Sequence, residues 1–176
     1  MDFEAPVDAW YVWVGVAVVS VALVGVVLSL PTQAPPDADR AANTIDRVGG
    51  STYQAEANYE HDADEVRVTT GQISMRNDGG TDHASTRFES VTPIHTVTDA
   101  VEDADEVRDA LEQVLHGTNP DEVVNATDVE THELVEAVSK TSEYVASDSA
   151  DWQPATGALV VRQVRVGNET VVLVDV

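Results

Sequence analysis

The sequence predicts an α+β chain: one N-terminal transmembrane helix, then a single α+β domain built from a β-hairpin region, two helices and a C-terminal β-hairpin. Three observations predict it. Residues Ala9 to Leu30, AWYVWVGVAVVSVALVGVVLSL, form an uncharged apolar run. Two later segments place apolar residues at helical spacing, while the segments around them alternate at period two. Turn residues separate the alternating segments, at Asn77, Asp78, Gly79 and Gly80 and again at Gly167-Asn168. The expected organisation is a tail over 1–8, a transmembrane helix over 9–30, a Pro-rich stalk over 31–37 and a globular domain over 38–176.

As a helix the apolar run would be about 33 Å long, enough for a hydrocarbon core of about 30 Å. Trp10, Tyr11 and Trp13 cluster at one end, where amphipathic rings favour the membrane–water interface. Pro31 ends the run. A cleaved signal peptide fits less well, because the run exceeds a typical h-region and the preceding MDFEAPVD is acidic rather than basic. The flanks divide on orientation. Arg40 and Arg47 place the domain in the cytoplasm by the positive-inside rule, yet they lie among Asp37, Asp39 and Asp46. Two N-x-T sequons, at Asn125 and Asn168, are possible glycosylation sites and suit an exported domain.

Beyond the stalk, Asp37 is placed to cap a helix over ADRAANTIDRV that stops at Gly49-Gly50, with Ala38, Ala41, Ala42, Ile45 and Val48 on one face. STYQAEANYE reads as a strand. EVRVTTGQISMRN puts Val66, Val68, Ile73 and Met75 on one face, with a bulge at Gly71. HASTRFESV returns from the NDGG turn, and PIHTV extends it. One helix is expected over 98–117, capped by Thr98 or Asp99, with Val101, Ala104, Val107, Ala110, Leu111, Val114 and Leu115 inward. A second, over 128–146, turns Val129, Leu134, Val135, Val138, Ser142 and Val145 inward. After a loop, ALVVRQVRV and ETVVLVDV form the closing hairpin. The last strand is almost continuously apolar, which predicts a central place covered on both faces. One core is expected.

Acidic residues number 32 against 9 basic ones, for a net charge of −23, and Lys140 is the single lysine. Such self-repulsion is screened at molar salt, where the Debye length is about 3 Å. The composition is that of proteins living in concentrated salt. It argues against nucleic-acid binding, which needs a basic stripe. The absence of cysteine removes disulfides and thiolate chemistry.

No motif carries a reaction. HELVE, His132 to Glu136, has Glu where a metalloprotease helix needs a second His. Ser139 and Lys140 are adjacent rather than at SxxK spacing, and phosphate-loop patterns are missing. Asn77, Asp78 and Asp82 surround a glycine turn without matching an EF-hand loop. The hexapeptide DADEVR occurs twice, at 62–67 and 103–108. Its surroundings predict turn and strand for the first copy and helix for the second.

The stretches FEAPVDAWYVWVGVAVVSVALVGVVLSLPT, MRNDGGTDHA and GALVVRQVRVGNETVVLVDV together resemble a family of small haloarchaeal membrane-anchored proteins of unknown function. Such families resemble members of type IV pilus-like gene clusters. The resemblance implies a pilin-like or envelope-associated role with the domain outside. The chain lacks the basic-then-small pair that precedes the apolar run of a prepilin, so a static accessory protein fits as well as a filament subunit. The expected function is therefore non-enzymatic. The chain would sit in the bilayer through residues 9–30 and bind a protein partner through its domain, with no cofactor, metal or nucleic acid. The alternatives are a cytoplasm-facing adaptor and an enzyme with a dispersed site.

Overall fold

A computed structural model of the chain describes residues 9–29, 33–88, 91–101, 104–146, 150–155 and 157–176. The tail over 1–8, Leu30, Pro31 and Thr32, the first residue of the second DADEVR and parts of the 147–157 loop lie outside them. The chain divides into two units, one ending at Gln33 and the other spanning Ala34–Val176.

Among the described residues the first unit has one helix, α1 (Ala9–Leu28), with no acidic or basic residue in its terminal turns. Its large apolar side chains are exposed all round. The Ser29 hydroxyl closes the last turn by donating to the Val26 carbonyl at 2.7 Å.

The second unit begins with α2 (Ala38–Gly49), capped by the Asp37 carboxylate, which accepts from the Arg40 N–H. All five expected apolar positions of α2 are buried. Strands β1 (Glu56–Glu60), β2 (Glu65–Thr69), β3 (Gln72–Asn77), β4 (Gly80–Ser85) and β5 (Val91–Pro93) follow, then a 3-10 turn over Ile94–Thr96. Helices α3 (Val97–Ala100), α4 (Asp105–Leu115), α5 (Pro120–Ala126) and α6 (Thr131–Ala146) come next, and β6 (Gln153–Pro154), β7 (Ala158–Val166) and β8 (Glu169–Asp175) close the chain.

Two four-stranded sheets result, ordered β1-β7-β8-β5 and β4-β3-β2-β6. The closing hairpin turns at Gly167-Asn168, as expected, and β8 lies between β7 and β5. Val172 and Val174 enter one apolar cluster and Val171 and Leu173 the other. The single core expected from the sequence is therefore two. The first cluster joins α2 with Val66, Val68, Ile73 and Met75 of the second sheet and with Leu159 and Val161 of β7. The second joins α3 to α6 with Val164 and Val166 from the other face of β7. Both faces of the closing hairpin are apolar, so each face takes its own layer.

Other expectations need correcting. Val66, Val68, Ile73 and Met75 do share a face, but Gly71 is a turn and not a bulge. With φ of +73° it makes a two-residue connection that pairs Val66 with Met75 and Val68 with Ile73. The strand expected over 51–60 is confined to β1. PIHTV does not extend β4: β5 joins the other sheet, parallel to β8, and Ile94 onward is helical. The helix expected over 98–117 breaks at Val101, whose backbone is extended, and Thr98 lies inside α3 instead of capping it. Helix α5 was not foreseen, because seven residues are too few to show a period. In α6 the buried set is Leu134, Ala137, Val138, Thr141 and Val145, with Val135 and Ser142 at the margin.

The C-terminal end of α2 is fastened on two sides. Buried Gln163 on β7 donates to the Gly49 carbonyl at 2.9 Å. The Asp46 carboxylate accepts from the N–H groups of Arg87 and Phe88 at 2.7 and 3.2 Å. The Phe88 ring lies so close to Gly49 that a Cβ there would stand 2.6 Å from a ring carbon, so only glycine admits this contact.

Candidate functional site

The turn residues foreseen from the sequence are structural fasteners. Asn77 pairs with Gly80, leaving Asp78-Gly79 as the connection. The Asn77 side chain accepts from the Gly79 N–H at 2.8 Å and donates to the Ala34 and Asp62 carbonyls at 3.0 and 3.2 Å. It thus ties the start of the folded unit to the hairpin. The Asp82 carboxylate accepts from the N–H groups of Ala38 and His83. The Asn77 and Asp82 side-chain oxygens are therefore bonded to backbone, while Asp78 is exposed. Among the described residues no three His, Asp or Glu side chains gather to hold a metal.

Trp10, Tyr11 and Trp13 are exposed on the first turn and a half of α1. Asn125 is exposed on α5, with its amide donating to the Asp121 carbonyl, and Asn168 is exposed in the closing turn. His132 and Glu130 make an exposed pair at 3.1 Å, and Lys140 pairs with Glu136 one turn away at 2.8 Å. This part of α6 is a solvated, charged face.

Two histidines are more enclosed. His95 Nδ1 is 3.9 Å from Asp175 Oδ1, an ion-pair distance and too long for a hydrogen bond. This imidazole, against partial burial and helped by the Val176 N–H and by His116, holds the Asp175 carboxyl below its ordinary range. His61 accepts from the Ala63 N–H through Nδ1 at 3.2 Å, which assigns its proton to Nε2. That Nε2 is buried with no partner among the described residues. Burial lowers the His61 pKa, with Asp62 opposing. The unfolded chain then binds more protons than the folded one just below its ordinary value of about 6.5. The His61 contribution is complete above that value and shrinks as the pH falls toward the lowered folded pKa. A His61→Asn chain keeps an acceptor for Ala63 and cannot titrate. The stability difference between wild type and this variant is expected to shift against wild type between pH 8 and 5.5 in denaturation curves. A pH-independent difference would contradict it.

Two adjoining grooves, of about 600 and 350 Å³, meet at Gln54 and Arg165. The larger is lined by Asn119, Asp121, Glu122 and Asn125, the smaller by Ser51, Tyr53 and Gln163. Neither lining contains a histidine or a hydroxyl–lysine pair. Tyr53 is 83% exposed beside the smaller groove.

One constellation was invisible in the sequence. The rings and guanidinium groups of Trp152, Arg67 and Arg76 come together on the second sheet, with Arg76 4.4 Å and Arg67 5.3 Å from the ring centroid. Arg76 also pairs with Glu65. The one sequence signal was that Trp152 is the lone tryptophan of the domain.

A family model described as "Family of unknown function (DUF7283)" matches residues 4–164, which takes in the apolar helix and most of the folded unit. The chain belongs to the DUF7283 family. No curated protein and no solved structure matches it. Membership in DUF7283 carries neither a source organism nor a link to pilus assembly. What stands of the sequence-level resemblance is a family of unknown function with one helix long and apolar enough to cross a membrane.

Proposed function

We propose that the chain is a non-enzymatic, single-pass membrane protein of a halophilic archaeon. Its folded domain lies outside the cytoplasm and supports a pilus-like or cell-envelope assembly through protein–protein contacts. The observation that carries this reading is α1: twenty uncharged residues, exposed on every side, joined to a separate unit with its own cores. A helix apolar all round needs lipid or a helical partner to cover it. The acid-rich composition supports a high-salt setting. The polar grooves, without imidazole in their linings, support a binding role over a catalytic one.

Protease shaving of intact cells tests the orientation. With a C-terminal tag, the domain is expected to be cleaved before lysis, leaving a membrane-bound fragment. A domain protected until lysis would favour the second reading, a cytoplasm-facing adaptor. That reading draws on exposed Arg40 and Arg47, the first two cations after the apolar helix.

A further inference from the structure

We propose that the outer face of the sheet β4-β3-β2-β6 docks a carboxylate-rich segment of a partner protein. The proposal rests on the protein-contact part of the function above and is independent of orientation. Alternation along the strands puts Glu65, Arg67 and Thr69, then Gln72, Ser74 and Arg76, then Thr81, His83 and Ser85 on that face, opposite the buried Val66, Val68, Ile73, Met75 and Ala84. One carboxylate stands among two arginines and a histidine. In a chain where acids outnumber bases 32 to 9, this face has the inverse balance.

The cations are held in place. Arg67, Ser74 and His83 stand side by side on three strands. His83 Nδ1 lies 2.8 Å from the Ser74 hydroxyl, and Ser74 is 1% exposed, so this serine braces the imidazole and is closed to a substrate. Glu65 engages Arg76, and Trp152 lies against both guanidinium groups. Arg67 has no carboxylate partner among the described residues, and its Nε is buried without a hydrogen bond. A pre-positioned guanidinium loses less freedom on binding a carboxylate than a free one.

Tryptophan beside arginine is the composition of interface hot spots. Neither of the grooves described above is lined by these residues, and a cationic sheet face suits a protein segment better than an enclosed small anion. At molar salt long-range repulsion is screened, so recognition rests on direct contacts of carboxylates with Arg67 and Arg76 at this face.

The test uses the full chain in neutral detergent with Trp10 and Trp13 replaced by Phe, so that Trp152 is the sole indole emitter. Octaglutamate serves as the probe at the lowest salt concentration at which the circular dichroism spectrum of the full chain is unchanged. A saturable change in Trp152 emission is expected. Arg67→Gln is expected to weaken it at least tenfold, and Thr81→Asp, an exposed substitution on the same face, to do likewise. Arg47→Gln, exposed on α2, should leave it unchanged. The proposal is overturned by the absence of a saturable change, by inorganic phosphate producing the same change at equal concentration, or by sedimentation showing that a second copy already occupies the face.

Discussion

Replacing Arg162 with alanine is expected to destabilise the folded domain by about 3–5 kcal/mol. Arg162 lies on β7, 8% exposed, on the face turned toward α4. Its Nη1 donates to the Val114 carbonyl at 2.7 Å and its Nη2 to the Gly117 carbonyl at 3.2 Å. Val114 lies in the last turn of α4 and Gly117 just beyond it; the Val114 carbonyl also accepts from the Gly117 N–H at 3.2 Å, and the macrodipole at this end favours a cation. Alanine removes both charge-assisted donors, leaves the Gly117 carbonyl without its guanidinium partner and the Val114 carbonyl with the Gly117 N–H alone, and opens space beside Gly117. Arg162→Met separates these contributions, since it refills most of the volume without restoring a donor. It is expected to recover the packing part and still lose about 2 kcal/mol. Thermal unfolding followed by near-ultraviolet circular dichroism reads both variants. A loss below about 1 kcal/mol for alanine would mean that water takes over the two carbonyls, and the capping role would fall.

The same arginine marks where sequence reasoning stops. Periodicity exposed α1, α2, the closing hairpin and the inward faces of α4 and α6, because each is set by residues a few positions apart. The two copies of DADEVR show the principle. Glu65, Val66 and Arg67 of the first copy are strand, paired to β3, and Glu106, Val107 and Arg108 of the second are helix. Neighbouring apolar spacing, and not the string itself, decides between them. The break at Val101 leaves no mark in the sequence, because the apolar stripe runs across it without a change of spacing. There α3 packs chiefly on α6, while α4 packs on α5, α6 and β7, so tertiary contacts place the two pieces differently. Thr70-Gly71 is a weaker hairpin signal than Asn77 to Gly80, so from sequence the segment reads as one strand with a bulge at Gly71. Arg67, Arg76, His83 and Trp152 lie on four different strands or loops. No local pattern connects them, and only the sheet register brings them to one face.

A double substitution, Val18→Asp with Leu23→Asp, is expected to release the protein from membranes. Both residues lie in the middle stretch of α1, whose 20 residues span about 30 Å at the rise of an α-helix. The apolar window has a mean hydropathy of 2.5 and none of it is buried within the structure, so its insertion would rest on its own side chains. An aspartate near the centre of a membrane helix costs roughly 2.5–3.5 kcal/mol, against gains of a few tenths for each valine or leucine. Two aspartates remove about 5–7 kcal/mol, more than several apolar positions return. The folded unit has its own two cores and should keep its circular dichroism spectrum in the variant. Alkaline extraction of membranes reads the outcome: wild type stays in the pellet and the variant leaves it. N-terminal sequencing of the wild-type protein decides a separate question. A mature chain that begins beyond Gln33 would make the apolar helix a removed leader, and the domain would then depend on a partner to stay at the membrane. If the double variant stays in the pellet with its domain folded, attachment comes from the domain's own contacts. In that case the sheet face with Arg67 and Trp152, and not α1, becomes the first place to look.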